Sequence, residues 1–326
     1  MIEATSSTST TSTSSITSTP STPSKFRVIQ SARWPILLIL LLGCHDEEPS
    51  SPLLQGPPVV GTERRITFSS TRDGNLEIYS MNVDGSDQAR LTSHTGADHN
   101  ADWSPDGNRI AFMGHRDGDY ELYVMNADGT GLRQLTFNTA HDGFPHWSPD
   151  GLKILFTSLR DGNFEVYVMS AFGGNERRLT ASPRDDIGGA WSPDGSRIAF
   201  SSGRDDNLEI YVMNADGSNP VRLTTHDAQD GGKLAWSPDG KRIVFSSFRD
   251  GNSEIYLMNP DGTNLTRLTN DPGLDRFPAW SPDGLRLAFT SNRDGNDEVY
   301  IMSADGTGVS RLTNEAAIDF VDGWRR

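Results

Sequence analysis

A six-bladed, all-β propeller is the fold class this chain predicts, on three observations. The pentapeptide Trp-Ser-Pro-Asp-Gly starts at Trp103, Trp147, Trp191, Trp236 and Trp280, at spacings of 44, 44, 45 and 44 residues, and a sixth Trp follows at Trp324. Periods of about 40–50 residues mark repeat architectures, in which one unit cannot bury its apolar face alone. Each unit reads as short β-branched and aromatic runs parted by Asp-Gly turns, with no sustained helical periodicity.

The unit beginning at Trp236 shows the pattern. A first strand ends in AWSPDG, where Pro238 pre-sets φ, Ser237 accepts a turn hydrogen bond and Gly240 supplies positive φ. RIVFSS (Arg242–Ser247) follows, then the turn Arg249-Asp250-Gly251-Asn252, the strand EIYLMN (Glu254–Asn259), the turn Pro260-Asp261-Gly262-Thr263 and a short outer strand TRLT. Four antiparallel strands joined by Asp-Gly hairpins make one blade. The repeat enters at RITFSS (Arg65–Ser70) without a Trp strand and leaves on AIDFVDGWRR. These two fragments sum to one blade, so the C-terminal strand is expected to pair with the N-terminal one and close the ring, removing exposed edges.

The propeller is expected over residues 64–326. Upstream, residues 1–24 are rich in Ser and Thr, a composition that cannot bury a core and that suggests a mis-assigned start. Residues 25–43 read as a signal peptide: Lys25, Arg27 and Arg33 precede the apolar run WPILLILLLG (Trp34–Gly43), too short to span a bilayer. Leu41-Leu42-Gly43-Cys44 resembles a bacterial lipobox, which makes Cys44 the expected lipidation site and residues 44–63 a Pro-rich tether. The alternative is a buried Cys closing a small apolar helix. Acylation, with His45 rather than Asp after the cysteine, implies the outer membrane, facing the periplasm. A net charge of −15 argues against nucleic acid as partner.

WSPDG, an apolar strand, then S-x-R-D-G-N-x-E-I-Y-x-M-N-x-D-G and R-L-T together resemble the WD40-like Pro-Asp repeat of the TolB propeller family. Asp206 in place of the turn Gly, and Ala171-Phe172-Gly173-Gly174 in place of N-A-D-G, are the departures. The resemblance implies the propeller fold and a periplasmic setting. It covers the propeller alone, since TolB carries a further N-terminal α/β domain.

Features repeated in every blade are expected to serve folding: the six Trp, the turn Asp-Gly pairs, the Arg series Arg72 to Arg293, and the Glu series Glu77, Glu121, Glu165, Glu209, Glu254 and Glu298. The WSPDG turns should therefore form a uniform face, with recognition on the opposite rim of RDGN turns and inter-blade connections. On that rim Asp98, Asp142, Asp186, Asp230, Asp275 and Asp319 recur at spacings of 44, 44, 44, 45 and 44. Six carboxylates near one channel mouth require Arg partners, backbone hydrogen bonds or a cation such as Ca²⁺.

His94, His99, His141, His146 and His226 fall in the connections and His115 in a turn. Asp98, His99, His141 and His146 are the candidate metal ligands, although no fixed ligand spacing accompanies them. The binding candidates are the six Asp with His99, His146 and Arg276. There is no G-x-S-x-G elbow, P-loop or dinucleotide fingerprint. The expected function is non-catalytic binding of an envelope protein, peptide or glycan by a monomer needing no cofactor. The alternative is a metal-dependent lyase resembling the oligogalacturonate lyases.

Overall fold

The computed structural model describes residues 65–325. The Ser/Thr-rich head, the apolar run, Cys44 and the tether lie outside the described residues. Six four-stranded antiparallel sheets form the six blades, and among the described residues there is no helix. Blade one joins both ends of the propeller: its inner strand is Asp319–Trp324, followed outward by Arg65–Ser70, Glu77–Asn82 and Ala89–Arg90. The inner strands of blades two to six are Asp98–Trp103, Asp142–Trp147, Asp186–Trp191, Asp230–Trp236 and Asp275–Trp280.

The middle strands are buried on both faces because each blade is sandwiched between two others, which is why they read as unbroken apolar runs. The core is accordingly a set of apolar layers between neighbouring blades. In the closing layer, Ile66, Phe68, Met81, Val321 and Trp324 of blade one pack on Ala279, Ala288, Val299 and Ile301 of blade six. The closure repeats the contact made elsewhere around the ring. A Cβ on Gly85 would fall 2.5 Å from the Leu312 carbonyl oxygen, as one on Gly129 would fall 2.6 Å from that of Leu91.

The turns carry the expected chemistry. In the first WSPDG turn, the Ser104 hydroxyl accepts from the Arg109 N–H (2.9 Å), Asp106 accepts from the Asn108 N–H (3.1 Å) and Gly107 takes φ 67°. Where Asp206 replaces the turn glycine it adopts φ 85°, and the hairpin around it lengthens to Arg197–Asp205 and Asn207–Asn214.

Every inner strand breaks register with its neighbour. Asn100, Phe144, Gly188, Gly232 and Phe277 hold φ between 54° and 86° at these breaks. Such bulges re-aim side chains, and here they sit on the strands that line the central channel. Phe144 and Phe277 are bulky for the left-handed region, a strain of order 1 kcal/mol each that the surrounding sheet must hold.

Candidate functional site in the central channel

One inner strand differs from the rest. Five run six residues from Asp to Trp, but that of blade five runs seven, Asp230–Trp236. The additional residue falls in Gly231-Gly232-Lys233, and the two glycines, at φ 127° and 86°, carry the chain around the bulge. A Cβ on Gly231 would meet the Ser201 hydroxyl at 2.2 Å, so the position requires glycine. The outcome is a lysine reaching across the channel. Lys233 Nζ donates to the Val321 carbonyl (3.1 Å) and to that of Asp322, both in blade one.

Two carboxylates face this ammonium, Asp322 and Asp102. Burial pushes Asp322 up to about 6, against the pull of Lys233 and of the hydrogen bond from the Ser69 hydroxyl (2.7 Å). Burial likewise lowers the Lys233 pKa, with Asp322 and Asp102 opposing. Asp102 accepts the Trp147 N–H at 2.7 Å, which ties the channel charge to the next blade's inner strand.

A cavity of about 340 Å³ is built on this group. Trp191, Trp236, Trp280, Trp324 and prolines of the WSPDG turns make its apolar wall, and Lys233, Asp102, Asp322 and His146 supply the polar groups. Mostly apolar walls with few convergent polar groups are the usual make-up of a ligand site. A smaller space of about 170 Å³ adjoins Lys233 and is lined by Phe248, Arg276 and Phe277. The larger cavity thus lies among the WSPDG turns, on the face that repetition alone suggested would be uniform.

The aspartate ring has another purpose. All six Asp are fully buried, and each pairs with the Arg that opens the RDGN-type turn of its own blade. Arg160–Asp142, Arg204–Asp186, Arg293–Asp275 and Arg72–Asp319 each close at 2.8 Å, and Arg249–Asp230 at 2.5 Å. The same Arg72 stacks over Phe68 and Tyr79, and the arrangement recurs around the ring. Of the partners the sequence allowed for these carboxylates, the structure shows Arg at all six. Burial raises the pKa of Asp98, Asp142, Asp186, Asp275 and Asp319, and their arginines oppose it.

The candidate metal ligands do not assemble either. Among the described residues no three His, Cys, Asp or Glu side chains group as a metal site. Asp98 is held by Arg116, and His146 lines the channel cavity. His99 and His141 flank the Tyr120 ring, with centroids at 5.3 and 5.6 Å, and His115 sits at 5.0 Å. Burial lowers the His99 pKa to about 4, so it packs as a neutral ring. Arg276 pairs with Asp297 at 2.6 Å and lies over Phe277.

Lys233, Asp102 and Asp322 were not among the sequence candidates, yet the signal was present. The Trp series gains its extra residue between Trp191 and Trp236, and the Asp series between Asp230 and Asp275. Both hold only if the insertion lies between Asp230 and Trp236, on the channel wall.

The family model described as the TolB beta propeller domain matches residues 56–143, 138–232 and 232–324. The chain belongs to this family. Among solved structures, this TolB-type propeller is similar to TolB from Acinetobacter baumannii, with TM-score 0.73 and 24% identity over 81% of this chain and 66% of that one. It is similar to the putative TolB from Agrobacterium tumefaciens (TM-score 0.65, 25% identity, 80% and 91% covered). Hydrazine synthase from Kuenenia stuttgartiensis shares the fold at 17% identity and TM-score 0.67, with 83% of this chain and 50% of that one covered. No curated protein matches the sequence.

Proposed function

We propose that this TolB-type propeller is a non-catalytic binding protein of the bacterial cell envelope, taking a segment of a protein, peptide or glycan partner into the channel mouth among the WSPDG turns. The cavity of about 340 Å³ carries the reading: indole and proline walls supply apolar contact, and the lysine between two carboxylates fixes orientation. Membership of the TolB propeller family supports a binding role. The test is capture from envelope extracts, followed by intrinsic tryptophan fluorescence with the captured partner. Lys233→Ala and His146→Ala should abolish capture while each variant still unfolds in one cooperative transition, Lys233→Ala at a lower temperature because Asp322 loses its cation. Capture undiminished in both, but lost in Arg276→Ala, would move recognition to the opposite rim.

Lipidation at Cys44 and outer-membrane attachment complete the proposal, supported by the lipobox-like LLGC. Cys44→Ser should release the protein into the soluble fraction, and tight membrane association of that variant would refute the anchor.

A further inference from the structure

Five blades solve one electrostatic problem in the same way, and blade two does not. In the five, the buried glutamate of the third strand receives the Arg of the outer strand: Arg90–Glu77 (2.9 Å), Arg178–Glu165 (2.6 Å), Arg222–Glu209 (2.7 Å), Arg267–Glu254 (2.7 Å) and Arg311–Glu298 (2.6 Å). The same guanidinium holds the turn Asp, as Arg90 holds Asp73 at 3.0 Å. The turn Asn completes the cluster, its amide donating to two carbonyls of the following connection. Asn75 reaches those of His94 (3.0 Å) and Gly96 (2.9 Å), 19 and 21 residues on, and Asn252 those of Asp271 and Gly273 (both 2.7 Å).

In blade two both donors are gone. Gln134 stands in place of the Arg, and its amide is committed to the Thr136 carbonyl (2.9 Å) and Asp117 (3.3 Å). Asp119 stands in place of the Asn. Relative to its sisters the cluster has lost one positive charge and gained one negative. Glu121 is 1% exposed, and its Oε2 has no hydrogen-bond partner; neither has the buried Oδ2 of Asp119.

The connection itself keeps its form. The Ala140 N–H is accepted by the Asn138 side chain at 2.8 Å, as that of Gly273 is by Asp271 in blade five. By register, the Asn138 and Ala140 carbonyls hold the places that an amide donor serves in the other blades. An acceptor now stands where they need a donor.

We propose that blade two binds Ca²⁺ between the carboxylates of Asp119 and Glu121 and the main-chain carbonyls of Asn138 and Ala140. Two carboxylates with neutral carbonyl oxygens form a hard, all-oxygen donor set, and water or the exposed Asp117 completes the six to eight ligands that Ca²⁺ takes. The ion does the work of the arginine and the asparagine amide together. It lies on the connection rim of blade two, beside Asp142 of the Asp ring, to which the Asn138 amide donates at 2.6 Å and which Arg160 neutralises.

The five sister blades design the test. Full-length protein is stripped with EGTA and titrated with CaCl₂ by calorimetry and thermal unfolding, beside Asp119→Asn/Gln134→Arg, which installs the sister-blade residues, and Glu121→Gln. Wild type should bind one Ca²⁺ per chain and melt higher with it. The double variant should lose the Ca²⁺-dependent shift while melting above stripped wild type, and Glu121→Gln should weaken Ca²⁺ by about tenfold or more. A wild type indifferent to millimolar Ca²⁺ overturns the site. So does a full Ca²⁺ response in the double variant, which would put the ion elsewhere. An equal response to Mg²⁺ overturns the assignment to Ca²⁺.

Discussion

Gln134→Arg alone, studied in EGTA, isolates what the missing arginine costs. Burial pushes Glu121 from 4.5 to about 7; the nearby Thr136 hydroxyl opposes this, and the charges of Asp142, Asp119 and Asp117 add to it. The folded state therefore favours the protonated acid. The stability this allows is complete below about pH 4.5 and is lost as pH rises through about 7. At about 1.4 kcal/mol per tenfold change in proton affinity the penalty is about 3 kcal/mol, and screening through the exposed Asp117 reduces it to about 2. An arginine paired as Arg90 is with Glu77 should remove most of this. At roughly 2–4 °C per kcal/mol for a domain of this size, Gln134→Arg should melt about 5 °C above wild type at pH 8. At pH 5, only about half a pH unit above the ordinary glutamate value, wild-type Glu121 stays protonated and the penalty has barely begun to accumulate, so the difference should fall to about 2 °C or less. The assay is thermal unfolding by circular dichroism across that pH range. Equal destabilisation of both proteins between pH 5 and 8 would refute the argument, because the penalty would then not arise at Glu121.

Asp206→Gly relieves a non-glycine residue at φ 85°, at the cost only of an exposed 3.3 Å ion pair to Arg184. It should raise stability by about 1 kcal/mol in urea unfolding, and a lowered midpoint would contradict this. Deleting residues 318–326 removes Val321 and Trp324 from the closing layer and frees the edge of Arg65–Ser70. Cooperative melting should be lost, and an unchanged transition would rule out closure by this strand. Lys233→Met deprives Asp322 of its cation and should carry its pKa above the present value of about 6. The stability loss that wild type completes as pH rises through about 6 should then continue to higher pH and become larger, and a carboxyl NMR titration would follow the shift; an unmoved Asp322 would separate the two groups.

The fold was legible because each blade spells out its own turns. Asp-Gly pairs fix the hairpins, and Val, Ile, Phe and Tyr fix the middle strands, so the composite blade followed from the fragments at the two ends. Side-chain partners were harder to read. The aspartate ring is plain in sequence, but its burial depends on an Arg about 18 residues away, as between Asp142 and Arg160. Nothing in one blade's sequence says whether that Arg turns inward to Asp or outward to solvent. The channel was obscured differently. Lys233 stands inside a register break and Asp102 and His146 immediately after one, so the two-residue alternation that assigns faces cannot be carried to them from the start of the strand.

Repetition can hide function in one respect and expose it in another. Six copies of a strand suggest that whatever is copied serves folding, and the Asp–Arg pairs bear this out. That inference does not extend to whole faces, because a uniform turn can border a cavity whose floor varies from blade to blade. The informative unit is the single position compared across six equivalent environments. Blade five differs by one inserted residue, and a lysine crosses the channel. Blade two differs at Asp119 and Gln134, and the sisters' guanidinium and amide donors are missing beside two buried carboxyl oxygens that have no partner. In an unrepeated fold neither change would stand out, since an acid beside a glutamine is unremarkable by itself. Here the same backbone displays, five times over, the positive group that belongs beside that acid, so its absence from blade two is a measurable charge deficit at a defined position.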